Sequence, residues 1–443
     1  MSSAVFHRDL HAEYESVVSA SGMYLQTEAG QQILDAVGGA GAVVLGHGVQ
    51  EITDSIARHG KELSFVYGAT FTNPWQEQLA EALVAMNPEI AARVYFVSGG
   101  SEGNETAIKM ARQYHLQSGH PGKHKVIARW QSFHGSTLAT LSLSGRPAWR
   151  EPFLPQLMAV PHIVPPYCYR CPLGRTYPAC DVACADDLER MIIMEGPDSI
   201  AAFIAEPVIG TTVTAVLPVP DYYRRIREIC DKYDVLFIAD EVMVGYGRTG
   251  RWLAIEHWGV KPDIVVMGKG ISSGYVPLGA VLAAQRVVDA FETGSGKFSH
   301  GFTYSGNPCC TFVGLQVLRY ALDHQLFEEV GAKGQHLRAA LDQVAERHEI
   351  VGEVRGLGLF AGLEFVSDRA SRQPFPEKAD ITRRVTRGAL QRGVLILPGV
   401  PGANHGRGGD HIQLSPPYVI TRAEIDLVAE VLDATIAEIE ATL

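Results

Sequence analysis

The chain has 443 residues, which is long enough to bury a large core and to divide into two lobes. Hydrophobic residues make up 46% and charged residues 20%, which is typical of a globular protein and excludes a disordered one. The net charge of −11, with no run of basic residues, argues against a nucleic-acid partner.

The composition also bears on the compartment. Nowhere do about 18 apolar residues follow one another, so no membrane-spanning helix and no membrane partner are expected. The stretch MSSAVFHRDLHAEYESV holds no apolar run of signal-peptide length. Seven cysteines, an odd number, fit a reducing compartment better than a disulfide scaffold. We therefore expect a cytoplasmic protein.

The N-terminal residues have the pattern of a small lobe, predicted to span residues 1–65. Short strands are predicted at Tyr24–Gln26 and Gln32–Ala36, and a helix follows from Val49 to about Leu63. Pro74 is expected to open a second helix. The apolar residues of that helix share one face: Trp75, Leu79, Ala82, Leu83 and Met86.

From residue 66 to about residue 320, short apolar runs alternate with helical stretches. The alternation predicts an α/β fold, a large domain whose mostly parallel sheet is flanked by helices. Because ligands of such sheets gather at the carboxyl ends of the strands, the chemistry is expected just after these runs. The predicted buried strands are Arg93–Val97, Lys125–Ala128, Ala201–Ala205, Val235–Ala239 and Asp263–Met267.

Residues 321–443 change character and are predicted to form a smaller α+β domain, completed by the N-terminal segment. A helix is predicted near Leu326–His348, then the strand-like stretch Glu353–Phe365, a helix, and a short strand at Val394–Leu397. Within the strand-like stretch, Gly356-x-Gly358-x-x-Ala361 imitates a dinucleotide fingerprint. It does not join a strand to a helix, which argues against a nicotinamide dehydrogenase.

Lys269 stands between Gly268 and Gly270, directly after the apolar run Asp263–Met267. Lysine is normally a solvated surface residue, and that remains one interpretation of this position. If the side chain is buried, its pKa falls and the neutral amine becomes available to form an imine. The flanking glycines let the backbone pass close to a ligand.

Asp240 and Glu241 follow the apolar run Val235–Ala239. Two carboxylates at the end of a buried strand need a compensating charge. A protonated pyridine nitrogen would supply it, since an aspartate that keeps such a ring charged makes it an electron sink. A solvated acidic pair and a magnesium site are the alternatives.

A glycine-rich turn, Ser98–Glu105, follows the run Arg93–Val97 and precedes a predicted helix. Free backbone N–H groups and the positive end of a helix dipole form an anion site. The turn matches neither a Walker A motif nor a dinucleotide fingerprint, so a single phosphate monoester suits it better. The alternative is a simple N-cap by Ser101.

Together these features resemble the class III (ω-type) aminotransferases, which have the pyridoxal-phosphate (PLP) fold-type I. The resemblance extends from about Tyr24 to Thr421. The matching motifs are the phosphate-cup segment Ser98–Asn104, the ring-stacking segment Phe133-His134-Gly135, Glu206-Pro207, Asp240-Glu241-Val242, Gly245–Gly250, Gly268-Lys269-Gly270 and His300–Pro308 with its Thr303.

The resemblance implies a role for each matching residue. Lys269 would carry PLP as a Schiff base and move the substrate proton, while Asp240 would keep the ring nitrogen protonated. Because Thr303 would reach the phosphate of the neighbouring subunit, the resemblance also implies an obligate homodimer, or a tetramer of such dimers. The implied cofactor contacts are Gly100, Ser101, Phe133, His134, Glu206, Asp240, Val242, Met243, Lys269 and the partner subunit's Thr303.

Two departures from the family pattern bear on the substrates, an amine donor and a keto-acid acceptor. Members that use 2-oxoglutarate usually carry a second glutamate after Glu206-Pro207, and this chain has none in residues 208–212. Those members also tend to have glutamine where this chain has Met243. Both changes resemble the ω-transaminases that use pyruvate. Arg407, in the glycine-rich stretch Gly402–Gly409, is the candidate for binding a substrate carboxylate, with a solvated loop arginine as the alternative.

Four cysteines lie close together in a loop rich in proline and tyrosine: Cys168, Cys171, Cys180 and Cys184. Their spacing resembles a zinc site, although the resembled family needs no metal. Simple packing and a disulfide are the alternatives.

Other activities share the same cofactor contacts and stay open at this point. They are transamination with 2-oxoglutarate and a PLP aminomutase, racemase or decarboxylase. A binding or regulatory protein that has kept the fold without PLP is a further alternative, against which the intact Lys269 and Asp240 argue.

Overall fold

The computed structural model describes residues 4–443, so the first three residues of the predicted N-terminal lobe lie outside it. The strands are β1 (Val17–Ser21), β2 (Tyr24–Thr27), β3 (Gln32–Asp35), β4 (Arg93–Val97), β5 (Lys125–Arg129), β6 (His162–Ile163), β7 (Ile200–Ala205), β8 (Leu236–Asp240), β9 (Ile264–Met267), β10 (Gly279–Ala283), β11 (Val351–Leu357), β12 (Phe360–Phe365), β13 (Val394–Leu395), β14 (Leu397–Pro398) and β15 (Asp410–Leu414).

Helices connect most of these strands, and several are single turns. They are α1 (Gly38–Gly41), α2 (Gln50–His59), α3 (Pro74–Met86), α4 (Gly100–Gln117), α5 (Leu138–Leu143), α6 (Pro147–Arg150), α7 (Ala183–Glu195), α8 (Tyr222–Lys232), α9 (Gln285–Thr293), α10 (Pro308–Asp323), α11 (Leu326–Arg347), α12 (Ile381–Gln391) and α13 (Arg422–Glu440). No helix of residues 4–443 is long and apolar enough to cross a membrane.

The large sheet has seven strands in the order β4-β10-β9-β8-β7-β5-β6. The central strands β7 and β8 are buried along their whole length, as expected of parallel strands covered on both faces. Alternate residues of β8 enter different cores: Phe237 joins the larger core cluster, whereas Leu236 and Ile238 join the cluster that includes α4. The predicted α/β fold is confirmed.

Two strands of this sheet were not predicted, the short edge strand β6 and the inner strand β10. β10 lies between β4 and β9 and runs antiparallel to both, so the sheet is mixed rather than wholly parallel. β4 and β9 therefore still run in the same direction as β8. The carboxyl ends of all the predicted strands consequently meet at one edge, where the chemistry was expected.

The chain termini join in a second group of strands. β13 pairs in parallel with β3, so an N-terminal and a C-terminal strand share one sheet, β1-β2-β3-β13. This confirms a smaller α+β part built from both termini, while the boundaries near residues 65 and 320 stay predictions. Glu353–Phe365 is a hairpin of β11 and β12, which confirms that Gly356–Ala361 is no dinucleotide motif.

Two predicted elements differ in length from the observed ones. The helix expected to reach Leu63 ends at His59, because the poor helix former Gly60 follows. The strand expected at Val394–Leu397 is interrupted, and its two parts pair with different sheets, β13 with β3 and β14 with β15.

Candidate active site

A cavity of about 200 Å³ lies at the carboxyl edge of the large sheet. It contains all the predicted cofactor-binding residues apart from Thr303. Its lining residues are Gly100, Ser101, Asn104, Phe133, His134, Gly135, Glu206, Gly210, Thr211, Asp240, Val242, Met243 and Lys269.

Asp240 is buried at the end of β8, and its carboxylate is held from two sides. Oδ2 lies 2.7 Å from Nδ1 of His134 and accepts a hydrogen bond of 2.8 Å from Nδ2 of Asn104. Oδ1 accepts a bond of 3.1 Å from the backbone N–H of Val242. Because these contacts fix the carboxylate in orientation, its charge is aimed at a defined point of the cavity.

Glu241, the neighbouring carboxylate, points away from the cavity. Oε2 accepts from the backbone N–H of Ala254 at 3.0 Å, and Oε1 accepts from that of Ile255 at 2.8 Å. Burial raises the pKa of Glu241 to about 8, and these two bonds oppose the increase. The pair seen in the sequence therefore separates into one carboxylate that faces the cavity and one that caps a turn of the scaffold.

The predicted anion site is the N-terminus of α4, which begins at Gly100. A Cβ atom at Gly100 would lie 2.7 Å from Cγ1 of Val242, so only glycine fits against this wall. Gly135, at φ +138°, passes so close that a Cβ there would lie 2.5 Å from Oγ of Ser101. Backbone N–H groups, a hydroxyl and a helix dipole thus converge on one end of the cavity.

Lys269 follows β9 in a turn of 3-10 helix and has a backbone φ of +47°. This conformation costs a non-glycine residue roughly 1–3 kcal/mol and is concentrated at functional sites. Nζ lies 3.2 Å from Sδ of Met243. Burial lowers the pKa of the Lys269 amine, against the opposing charges of Asp240 and Glu206. A larger fraction of Lys269 is therefore the neutral, nucleophilic amine than in an exposed lysine.

Glu206 lines the cavity beyond the end of β7 and is fully buried, which raises its pKa. Oε1 accepts from the backbone N–H of Gly210 at 2.9 Å, and Oε2 accepts from that of Phe133 at 3.2 Å. Its carboxyl group thereby ties the Phe133 segment to the loop that carries Gly210 and Thr211. Phe133 and this loop both contribute to the cavity wall.

Two predicted residues lie outside the cavity of their own chain. Thr303 and Arg407 are both exposed and are absent from its lining. Their predicted roles, toward a partner subunit's phosphate and toward a substrate carboxylate, stay predictions.

Two residues that the sequence did not single out contribute to the site or its surroundings. Asn104 binds both Asp240 and the backbone oxygen of His134, at 2.8 and 2.7 Å. Asn104 lies one helical turn after Gly100, on the same face of α4, and this spacing could have predicted that it faces the cavity. Arg146 is buried behind Phe133, with Trp149 between them, and its Nε and Nη2 have no hydrogen-bond partner among residues 4–443.

The four loop cysteines surround a separate, small cavity. All four thiols are free, and in the described chain no three of their sulfurs lie within 4.8 Å of one another. Burial raises the pKa of Cys184 to about 12. The zinc interpretation of these four cysteines stays a prediction.

The fold and the lining of the cavity together are those of a PLP-dependent enzyme of fold-type I. The sequence profile of the class-III aminotransferases matches residues 7–436, and the chain belongs to this family. An uncharacterised aminotransferase, YodT of Bacillus subtilis, is 39% identical over all of this chain and 99% of its own. The putrescine–pyruvate aminotransferase of Pseudomonas aeruginosa is 37% identical over 96% of this chain and 91% of its own.

A solved structure agrees with these relatives. The PLP-bound amine transaminase of an uncultivated Pseudomonas species superposes with a TM-score of 0.91, at 37% identity, over 98% of this chain and 97% of that one. The residues of the cavity fit the same cofactor. An anion site for the phosphate, an oriented carboxylate for the pyridine nitrogen and a lysine amine for the aldehyde occur together at Gly100–Ser101, Asp240 and Lys269.

Proposed function

We propose that this aminotransferase moves an amino group from a primary amine or ω-amino acid to pyruvate. The observation that carries the proposal is the set of charged residues in the cavity wall. Glu206 and Asp240 line the cavity, and no arginine of the described residues 4–443 does. Thr211 and Met243 supply neutral surface beside Lys269. 2-Oxoglutarate would bring two carboxylates into this wall, whereas pyruvate brings one and a simple amine none.

In the proposed reaction the bound PLP withdraws electrons from the substrate carbon. Asp240 holds a proton on the ring nitrogen, and His134 and Asn104 hold Asp240 in place. The Nζ atom of Lys269 would hold the bound cofactor through its aldehyde and, when free, would move the proton of the substrate carbon, first as base and then as acid. Phe133 and Val242 both line the cavity and would cover the two faces of the bound ring.

The first prediction concerns the acceptor. The aminated enzyme is expected to react with pyruvate roughly tenfold faster than with 2-oxoglutarate, a difference of about 1.4 kcal/mol. Stopped-flow absorbance of the cofactor after keto-acid addition measures both half-reactions. The reverse half-reactions with L-alanine and L-glutamate are the control, since they must show the same order. Faster reaction with 2-oxoglutarate would establish the alternative acceptor.

Arg407 is proposed to bind the single carboxylate of the acceptor when its loop moves inward. The loop is attached beside the cavity, because Nε2 of Gln131 donates to the backbone oxygen of Gly402 at 2.7 Å and Gly402 packs against Thr212. The Arg407 side chain itself is exposed. Because simple amines have no carboxylate, they would not need Arg407 to move from the surface to the cavity, and their reactions would not depend on it.

The Arg407→Ala variant is expected to raise the KM for pyruvate by about tenfold, the loss of one exposed charge-assisted contact. The rate with simple amines in the first half-reaction should stay unchanged. Arg422→Ala, at another exposed arginine, is the matched control. Equal effects of Arg407→Ala on the keto acid and on the amine would contradict the role.

The active unit is proposed to be a homodimer in which the partner subunit's Thr303 completes the phosphate site. Large aromatic side chains are exposed in the single chain at Tyr304, at 63%, and on the segment around Gly68, which lies against Ser305: Phe71 at 64% and Tyr67 at 65%. Exposed aromatic groups of this size mark an interface. Subunits related by a twofold axis would bury the same patch on each chain.

A mixture of two inactive variants tests this arrangement. Lys269→Ala and Thr303→Asp, unfolded and refolded together, are expected to recover about a quarter of wild-type activity. Half of the dimers are then hybrids, and each hybrid has one site with an intact Lys269 and an intact Thr303. No recovery above the separate variants would show that each chain uses its own Thr303 or none.

A PLP aminomutase or racemase of the same fold is the second candidate, since it would use the same cofactor contacts. Addition of amine donor alone separates the two. A transaminase accumulates the pyridoxamine form of the cofactor, with its change in absorbance, whereas a racemase returns to the starting spectrum.

A further inference from the structure

Three side chains with metal-binding atoms converge at the edge of the large sheet opposite the active site. His115 lies near the end of α4, His120 in the loop that follows, and Asp234 in the turn before β8. Oδ2 of Asp234 lies 3.9 Å from Nδ1 of His115 and 3.6 Å from Nδ1 of His120. Ligand atoms of all three residues lie within 4.8 Å of one another.

The protonation of His115 is fixed by its other nitrogen. Nε2 lies 2.8 Å from the backbone oxygen of Ala201. A carbonyl oxygen only accepts, so Nε2 carries a proton. Burial lowers the pKa of His115, which keeps the ring neutral and leaves a lone pair on Nδ1. That nitrogen is fully buried and has no hydrogen-bond partner in the described structure.

A buried lone pair therefore faces a carboxylate with no proton between them, which is unfavourable unless a cation lies there. Lys123, a neighbouring cation, does not fill this role. Its Nζ donates to the backbone oxygens of Tyr233 and Asp234, at 2.7 and 2.9 Å, rather than to the carboxylate. His120 and Asp234 are about half exposed, at 53% and 42%, so an ion has access from solvent.

We propose that His115, His120 and Asp234 form a zinc(II) site. Imidazole and carboxylate ligands suit this ion, which binds them at about 2.0–2.2 Å, so that neighbouring ligand atoms stand roughly 3.3 Å apart. The present separations close to that value by small side-chain movements. The bond from His115 to Ala201 is the outer contact that a metal-bound histidine usually makes. Water completes the coordination.

The location gives the site a structural role. α4 begins at Gly100 in the phosphate cradle and ends near His115, while β8 begins after Asp234 and ends at Asp240. Zinc at this edge fixes the far ends of the two elements that carry the cofactor contacts. We therefore expect it to raise the thermal stability of the holoenzyme and to leave the chemical step unchanged.

Zinc stoichiometry of the holoenzyme tests the site. Chelator-treated wild-type protein is dialysed against micromolar ZnCl₂, and bound zinc is measured by mass spectrometry. His120→Asn and Asp234→Asn are each expected to bind one equivalent less than wild type, while the matched control His124→Asn, at an exposed histidine in the same loop, keeps it. The Cys168→Ser/Cys171→Ser variant also keeps this equivalent, which separates it from zinc bound by the cysteine loop.

The unfolding temperature provides the second measurement. Zinc is expected to raise it in wild type and in His124→Asn but in neither ligand variant. Millimolar Mg²⁺ should not displace the ion, because imidazole is a poor magnesium ligand. Equal zinc content in wild type, His120→Asn and Asp234→Asn, or displacement by Mg²⁺, would overturn the proposal. So would a wild-type protein that binds no zinc beyond its cysteines.

Discussion

The Lys269→Ala variant is expected to lose about 10³-fold or more of kcat, the upper part of the range for a group that supplies proton transfer. Lys269 has two tasks in the proposed reaction, as the amine that holds the cofactor and as the base that moves the substrate proton. Its strained backbone and its lowered pKa are both explained by these tasks. Steady-state rates with an amine and pyruvate measure the loss.

A spectroscopic measurement separates chemistry from folding. The variant is expected to bind PLP without the imine absorbance, and borohydride should attach no cofactor to the chain. Small primary amines such as methylamine should restore part of the rate, since the space left by the side chain admits them. Lys261→Arg is the matched control, because Lys261 is exposed and makes a surface ion pair with Glu89. Activity of Lys269→Ala near that of wild type would contradict the assignment.

The strands that position the site could be predicted because they are short, apolar and buried on both faces. β4 was predicted at its observed bounds, and β8 was displaced by one residue, from Val235–Ala239 to Leu236–Asp240. This small error does not matter for the site, since in either case Asp240 lies at the carboxyl end of its strand and Lys269 just after its own. A run of apolar residues fixes where a buried strand lies and where its polar neighbours emerge.

The direction of a strand and the orientation of a side chain were beyond the sequence. β10 is as apolar as the parallel strands β7 and β9, so its antiparallel direction leaves no mark on its composition. Asp240 and Glu241 look equivalent in sequence, and only the turn after β8 sends one to the cavity and the other to the backbone of Ala254. The convergence of His115 and Asp234 likewise depends on two elements far apart in the chain.

The Asp240→Asn variant is expected to lower kcat by about 10²–10³-fold, as for the loss of one oriented charge in a preorganised site. Asparagine retains the size of the side chain but has one oxygen, so it can keep the bond from Asn104 or the bond from Val242, which Oδ2 and Oδ1 of Asp240 accept separately. It lacks the charge that keeps the ring nitrogen protonated. The loss should therefore appear in kcat and in a shifted cofactor absorbance, together with a lower unfolding temperature from the lost hydrogen bond.

Glu241→Gln is the matched control for Asp240→Asn, because it makes the same carboxyl-to-amide change at the adjacent residue, whose side chain does not face the cavity. It should bind PLP normally but unfold more easily, by about 1–3 kcal/mol, since an amide cannot accept from both Ala254 and Ile255.

The raised pKa of Glu241, about 8, makes the free energy of unfolding of the wild type depend on pH. Its burial favours the protonated form, so the wild type loses stability as the pH rises from about 5 through 8. The variant lacks that loss, and its deficit should shrink at pH 9. Equal effects of the two substitutions on the cofactor spectrum would contradict the role of Asp240. The spectrum would then depend on the structure of the strand end and not on the charge of Asp240 beside the ring nitrogen.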